Sequence, residues 1–181
     1  KWECEVVSNY NVSTFIKEFV VKLPPGETLN FESGGYIQID VPETEIDFND
    51  MDITPHPDLG HKKDVFKGDW DKFNLWPLVM KNPEKVERAY SMASYPAEGR
   101  EVMLNVRIAT PPWDRNKNGW ADVNPGVASS YIFSSKAGDK VTISESNLGE
   151  LVNYVNLSTD CPPWDYGISA FTKNLSQRGL L

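Results

Sequence analysis

Four consecutive residues, Arg88, Ala89, Tyr90 and Ser91, line up a guanidinium, a flat phenol and a hydroxyl within one short stretch of the chain. Read as a strand, Arg88 and Tyr90 are two apart and leave the backbone on the same face, roughly 7 Å from each other. A guanidinium fork suits phosphate oxygens and an aromatic face suits a planar heterocycle. The pair could therefore grip a nucleotide-like ligand at two chemically distinct points. The small residues Ala89, Ser91 and Ala93 leave room for it. The same spacing also describes an ordinary strand with a solvated arginine and a tyrosine over the core edge, and the motif alone favours that plainer reading.

A second constellation adds weight. In "PGVASS" the residues Gly126, Val127, Ala128 and Ser129 are small and stand where a helix would begin. Unpaired backbone N–H groups and the helix dipole attract phosphate at such a start, and Ser129 and Ser130 can add hydroxyl donors. A plain helix cap is the competing account. A strand carrying Asn105, Val106 and Arg107 lies between the two motifs, and the three elements in that order are more specific than any one of them.

Other chemistries find less support. "DRNKNGWAD" places Asp114, Asn116, Asn118, Gly119 and Asp122 at positions one, three, five, six and nine of a calcium loop. Position twelve, which needs a bidentate Glu, is Pro125, so the segment reads as an Asx-rich loop. The two histidines, His56 and His61, share one proline-rich stretch and fit neither a Ser-His-Asp order nor a zinc-protease helix. Cys4 and Cys161 form no Cys-x-x-Cys pair, and two cysteines cannot hold an iron–sulfur cluster or a zinc knuckle. No metal site is expected. Glu43, Glu45 and the acidic "DFNDMD" read as solvated surface.

The elements that must position these residues are mostly strands. "YIQIDVP" puts Ile37, Ile39 and Val41 on one face, and "EVMLNVRIA" does the same with Val102, Leu104, Val106 and Ile108. Weaker strand patterns cover Glu3 to Ser8, Thr14 to Leu23, Ala89 to Ser94 and Lys140 to Ser144, with Gly34 and Gly35 marking a tight turn. One short helix is expected after Pro125, with Ala128, Tyr131 and Ile132 at helical spacing and Gly138 just past its end. Glu43 to Lys85 reads as a long irregular stretch, and a loop of that length is usually functional or independently packed. Several short strands separated by turn signals imply an all-β sandwich or barrel.

Composition sets the limits. With 181 residues, 40% hydrophobic and 12% aromatic, the chain can bury a working core. A formal charge of -8 excludes a nucleic-acid partner, since counterion release needs clustered Lys and Arg. No stretch approaches the ~20 apolar residues of a membrane helix, and the first residues lack the pattern of a signal peptide. A first residue other than Met points to a piece of a longer protein. Six tryptophans and seven tyrosines keep a second class open, a carbohydrate-binding β-sandwich with loop tryptophans as stacking platforms.

The ordered set of Arg-x-Tyr-Ser strand, Asn-Val-Arg strand and Gly-small-small-Ser helix start resembles the flavin-binding barrel of the ferredoxin reductase family. "KWECEVVSN", "GDWDKFNLW", "RAYSMASYP", "MLNVRIATPP" and "PGVASSYIFSSKAGDKVTIS" are similar, within it, to the family of F subunits of sodium-translocating NADH:quinone oxidoreductases. The likeness runs from Lys1 to about Ser144. It implies a small antiparallel Greek-key barrel holding FAD over residues 1–150, with 43–85 inserted as a long loop and 151–181 as a C-terminal extension. By the family pattern Arg88 would neutralise the pyrophosphate, Tyr90 would lie against the isoalloxazine and Ser91 would sit near its redox-active edge. Ser129 and the N–H groups of Gly126, Val127 and Ala128 would hold phosphate, and the backbone of Asn105, Val106 and Arg107 would line the flavin.

In that family NADH reduces FAD, and electrons leave singly to an iron–sulfur cluster, ubiquinone reduction being coupled to sodium transport. The implied partners are the NADH-binding and iron–sulfur domains of the same polypeptide and the other subunits of a membrane complex, on the cytoplasmic face of a bacterial inner membrane. The family's Gly-Pro-x-Gly-Glu after the last barrel strand is replaced here by "ESNLGEL", which keeps Gly149 and Glu150 but not the Gly-Pro. No glycine-rich nicotinamide fingerprint is present, so NADH alone is not expected to reduce this chain.

Overall fold

A computed structural model describes residues 1–31, 35–95, 97 and 99–145. Six strands make the main sheet: β1 (Trp2–Ser13), β2 (Ile16–Lys22), β3 (Tyr36–Val41), β6 (Val86–Ser91), β7 (Glu101–Arg107) and β10 (Lys140–Glu145). Their order is β6-β3-β10-β1-β2-β7 and every neighbouring pair is antiparallel. The sequence expectation of an all-β, antiparallel Greek-key architecture holds. The sheet curls but no ladder joins its two edge strands. They are stitched at one end, where the Ala93 N–H donates to the Met103 carbonyl at 2.8 Å and the Met103 N–H donates to the Ser94 hydroxyl at 2.7 Å.

Period two governs the best strands. Ile37, Ile39 and Val41 are buried in β3, and Val102, Leu104, Val106 and Ile108 in and just beyond β7. The pattern breaks at Asp40, whose side chain is only 4% exposed. Burial opposes its ionisation, but hydrogen bonds from Lys85 and Lys1 outweigh that and hold the carboxyl below its ordinary range. β1 is longer than expected and changes register between Val6 and Ser8 and between Asn11 and Ser13. Both irregularities lie in the β1–β2 ladder, where they bend and twist the long strand. The strand expected over Ala89 to Ser94 is β6, which begins at Val86 and ends at Ser91.

The stretch from Glu43 to Lys85 departs most from expectation. It is not a loose loop. β4 (Thr44–Asp47) pairs antiparallel with β5 (Val79–Asn82), and between them lie two 3-10 turns and the helix α1 (Lys67–Lys72). Ile46, Phe48, Met51, Ile53, Phe66, Trp70, Leu75 and Met80 join the same hydrophobic core as the strands. "DFNDMD" is therefore half surface and half anchor, with Phe48 and Met51 inside and its acids outside. The insertion is tied to β1 by the Asn11 N–H, which donates to the Thr54 carbonyl, and by the His56 N–H, which donates to the Asn11 carbonyl.

The expected helix after Pro125 is present as α2 (Val127–Ser134), with Ala128 and Ile132 buried and Tyr131 half-buried. It stops four residues before Gly138, which instead takes φ +92° in the turn leading to β10. A two-stranded arm, β8 (Trp113–Asp114) and β9 (Gly119–Trp120), stands between β7 and α2. Gly34, Cys161, Trp164 and the segment 151–181 lie outside the described residues. No helix among the described residues is long and apolar enough to cross a membrane.

Candidate functional site

The site begins at the two unladdered edges. One backbone bond, from the Ala93 N–H to the Met103 carbonyl, brings the chain just past the end of β6 against β7, so the strands that carry Ser91 and Asn105 approach each other there. Arg88, Ala89, Ser91, Asn105 and Arg107 are exposed, Tyr90 is half-buried and Val106 is buried. Arg88 spends one N–H on the Glu87 carbonyl at 2.7 Å. A guanidinium carries five N–H donors, so most of its capacity remains for an anion. Burial pushes the Tyr90 phenol up to about 12, with Arg88 pulling modestly the other way, so the ring stays neutral.

The helix start is seated on the residue just past β7. The Gly126 N–H donates to the Ala109 carbonyl at 2.8 Å, and the Ala109 N–H donates to the Ser129 hydroxyl at 3.1 Å. The Ser129 hydroxyl donates to the Gly126 carbonyl at 3.1 Å. A Cβ on Gly126 would fall 2.5 Å from the Ala109 Cβ and 2.8 Å from the Ser129 Oγ, so glycine is demanded here by contact. Ser129 is thus a bolt between helix and strand. A helix start leaves the N–H groups of Val127, Ala128 and Ser129 without intrahelical acceptors, and those donors carry the anion-binding capacity.

The far end of α2 is fixed as firmly. The Asn9 amide donates to the carbonyls of Ile132 at 2.6 Å and Ser135 at 2.7 Å, satisfying two terminal acceptors. Lys17 lies on the core face of β2, its ammonium 3.1 Å from the Asn9 carbonyl and 5.4 Å from the Phe133 ring centre. Burial lowers its pKa to about 8, with Asp52 opposing the shift. On the other side Trp70 of the insertion stacks near Phe133 at 6.5 Å and donates its indole N–H to the Thr14 carbonyl at 2.9 Å. A period-two reading cannot find Lys17, because it marks lysine as outward.

Two other expectations meet the structure here. Asp114 accepts the N–H of Asn116 at 2.8 Å and of Lys117 at 3.4 Å, which makes the calcium-like segment an Asx turn. No group of three or more His, Cys, Asp or Glu side chains converges on a metal position among the described residues. Of the tryptophans offered as sugar platforms, Trp113 is exposed, while two others are employed in the fold. Trp70 is fully buried, and Trp120 donates its indole N–H to the Asn74 carbonyl at 3.0 Å.

One cavity has no counterpart among the sequence motifs. Phe15, Phe73, Leu75, Ile108 and Trp120 wall a space of about 180 Å³, to which Arg107 contributes the only charge. Its residues come from three separate parts of the chain, and the "GDWDKFN" segment that holds Phe73 was the available signal.

The chain is 51% identical over 144 residues to the F subunit of the Na(+)-translocating NADH-quinone reductase of Methylococcus capsulatus, a match that covers 80% of this chain and 32% of that protein. The same subunit of the Shewanella putrefaciens enzyme is also 51% identical over 144 residues, covering 80% of this chain and 42% of the relative. That of Serratia proteamaculans is 53% identical, covering 80% and 32%. The chain thus spans well under half the length of these relatives. No family model matches. Among solved structures, the cytochrome b5 reductase domain of Ulva prolifera nitrate reductase aligns with TM-score 0.48 and 15% identity, covering 81% of this chain and 39% of that one. The flavohem-like FAD/NAD binding domain of Vibrio cholerae nitric oxide dioxygenase aligns with TM-score 0.47 and 20% identity, covering 80% and 42%.

Proposed function

Over four fifths of its length the chain is a homologue of the F subunit of Na(+)-translocating NADH-quinone reductases and belongs to that family, and from that premise we propose that it is the FAD-holding barrel of a respiratory NADH:quinone reductase subunit. The observation that carries the reading is one meeting of elements. The Arg88-to-Ser91 strand and the edge of β7 are stitched together at Ala93 and Met103, and the same β7 runs directly into the Ala109 seat of a glycine-started helix.

The residues fit the cofactor chemically. Arg88 is an exposed cation with unspent donors, and the start of α2 offers three N–H groups over a glycine that admits no side chain. Both can hold the pyrophosphate. Tyr90 supplies a neutral ring for the isoalloxazine, and Ser91 a hydroxyl beside it. The backbone of Asn105, Val106 and Arg107 lines the other edge. Gly126, Val127, Ala128 and Ser129 form the phosphate cradle, Ser129 through its N–H and through fixing Gly126 to Ala109. FAD, when bound, supplies the conversion of a hydride pair into single electrons. The chain's own task is to orient the ring, keep Tyr90 uncharged and neutralise phosphate.

On this reading residues 1–150 form the flavin domain, and the wider activity belongs to the longer polypeptide. The partners are an NADH-binding domain, an iron–sulfur domain and the other subunits of a sodium-transporting membrane complex, on its cytoplasmic face. NADH alone leaves this chain oxidised.

The purified protein is expected to show a flavin absorption spectrum and to release FAD, identified by mass, on denaturation. Arg88→Ala is expected to weaken FAD binding by about 1 to 3 kcal/mol, the scale of a charge-assisted bond. A folded protein that neither carries nor takes up FAD would overturn the assignment.

A further inference from the structure

The helix that opens the phosphate site is held at both ends by other parts of the chain, and a buried charge stands at the far end. α2 has no acidic residue in its first turn and no basic residue in its last. Its backbone dipole, positive at the start and negative at the end, is therefore served by groups from elsewhere. At the end those groups come from β1 and β2. The Asn9 amide closes on the Ile132 and Ser135 carbonyls, and the Lys17 ammonium sits on the Asn9 carbonyl at 3.1 Å and over the Phe133 ring at 5.4 Å.

Burial of Lys17 costs the fold. The residue is 1% exposed, and its bond to Asn9 uses one of three ammonium donors. Its neighbours across the sheet are Asn11 on β1 and Val106 on β7, both buried and uncharged. From α2 it meets Phe133, and the charged group that bears on it is Asp52 of the insertion, which favours the protonated form. The Oδ1 atoms of Asn9 and Asn11 are buried without a hydrogen-bond partner among the described residues, and unspent oxygens beside an ammonium also favour its charge. A methionine would fill the same space with no charge to desolvate. What the position supplies is the charge and not the volume.

We propose that Lys17 is a positioning residue for the cofactor phosphates: its charge, placed at the carbonyl end of α2, strengthens the hold of the helix start on an anion. The inference rests on the flavin reading and adds to it a proton linkage that the ligand-contacting residues do not supply. Eight residues at about 1.5 Å each make α2 roughly 12 Å long, which sets the separation between Lys17 and the cradle. At that range and an effective dielectric of about 20, a unit charge changes the affinity for a singly charged anion by at most about tenfold, and screening reduces this to about threefold. Lys17 releases its proton at about pH 8. Its charge is present below that pH and absent above it, so affinity falls as pH rises. Tyr90, raised to about 12, stays neutral throughout, and guanidinium groups do not titrate in this range.

The test is calorimetric titration of the flavin-free full chain with FAD from about pH 6.5 to about pH 9.5 at fixed ionic strength, in buffers of different ionisation enthalpy so that protons are counted. We expect wild-type affinity to fall about threefold across this window, and binding near the midpoint to take up about a quarter of a proton. Lys17→Met should bind at the weak, alkaline level at every pH with no proton uptake. Lys17→Arg, whose charge does not titrate, should stay at the strong, acid-side level throughout. A merely structural role would lower affinity by one factor at all pH values and leave the wild-type profile flat. A flat wild-type profile, or a slope that folded Lys17→Met or Lys17→Arg retains, would overturn the proposal and leave the flavin reading intact. Sulfate, whose charge is constant over the window, is the second probe of the cradle. Sulfate binding with the same pH dependence, lost in Lys17→Met, together with no FAD uptake at any pH, would sustain the linkage and sink the flavin reading. Binding of neither would sink both.

Discussion

The strands β3 and β7 and the insertion from Glu43 to Lys85 bury side chains in the same core, yet only the strands announce it. β7 alternates inside and outside with no exception among Val102, Leu104, Val106 and their neighbours. The insertion places Phe48, Trp70 and Met80, each fully buried, at intervals that follow neither a strand nor a helix period. The lesson is that a core can be completed by isolated anchors. Each large side chain fills a space prepared by distant residues, and the intervening backbone is free to turn.

If the insertion is as integral as the strands, Trp70→Ala should be among the most damaging changes in the chain. It removes a fully buried indole touching Phe48, Trp76 and Phe133 and strips the Thr14 carbonyl of the shorter of its two hydrogen bonds, leaving the one from the Asn11 amide at 3.3 Å. We expect a loss of about 3 to 5 kcal/mol in urea unfolding, comparable with Leu104→Ala in β7. One cooperative transition should persist in both. Two separate transitions in Trp70→Ala would show that the insertion folds on its own terms.

Lys17 sharpens the comparison at the seam between strand and insertion. Its folded pKa of about 8 lies below the free value of 10.5. The unfolded chain therefore binds the proton more tightly across that window, unfolding takes up a proton, and stability rises with pH between them. The difference amounts to about 3 kcal/mol at most. Lys17→Met should flatten the rise, and a pH profile shared by variant and wild type would refute the cause. Next in size, Gly126→Ala should cost roughly 1 to 3 kcal/mol by overpacking against Ala109. Adding Ala109→Gly should recover part of it, as measured by the shift in urea midpoint. Smallest, Arg88→Ala should leave stability within about 0.5 kcal/mol, since the side chain is exposed and serves ligand instead of core.

How much of the site could be read beforehand divides along the same line. Arg88, Tyr90 and Ser91 are visible because one strand presents them at a spacing of two, and the helix start is visible because Gly126 and its small neighbours are contiguous. Ser129 was legible as a residue at a phosphate site but not as the bolt to Ala109. Lys17 carried no local signal at all, and the Phe15, Phe73 and Trp120 cavity only that of the "GDWDKFN" segment. Their meaning lies in what approaches them from elsewhere in the chain.

By itself the sequence determined the strand faces, the short helix and the order in which a basic strand, a second strand and a glycine-started helix follow one another. These are local consequences of side-chain periodicity and backbone freedom. Only the tertiary structure decided that the sheet's edges meet at Ala93 and Met103, that the insertion is core, and that three aromatic rings from distant parts of the chain line one depression. Each of those depends on contacts between residues far apart in sequence, where shape and burial act and periodicity has nothing to say.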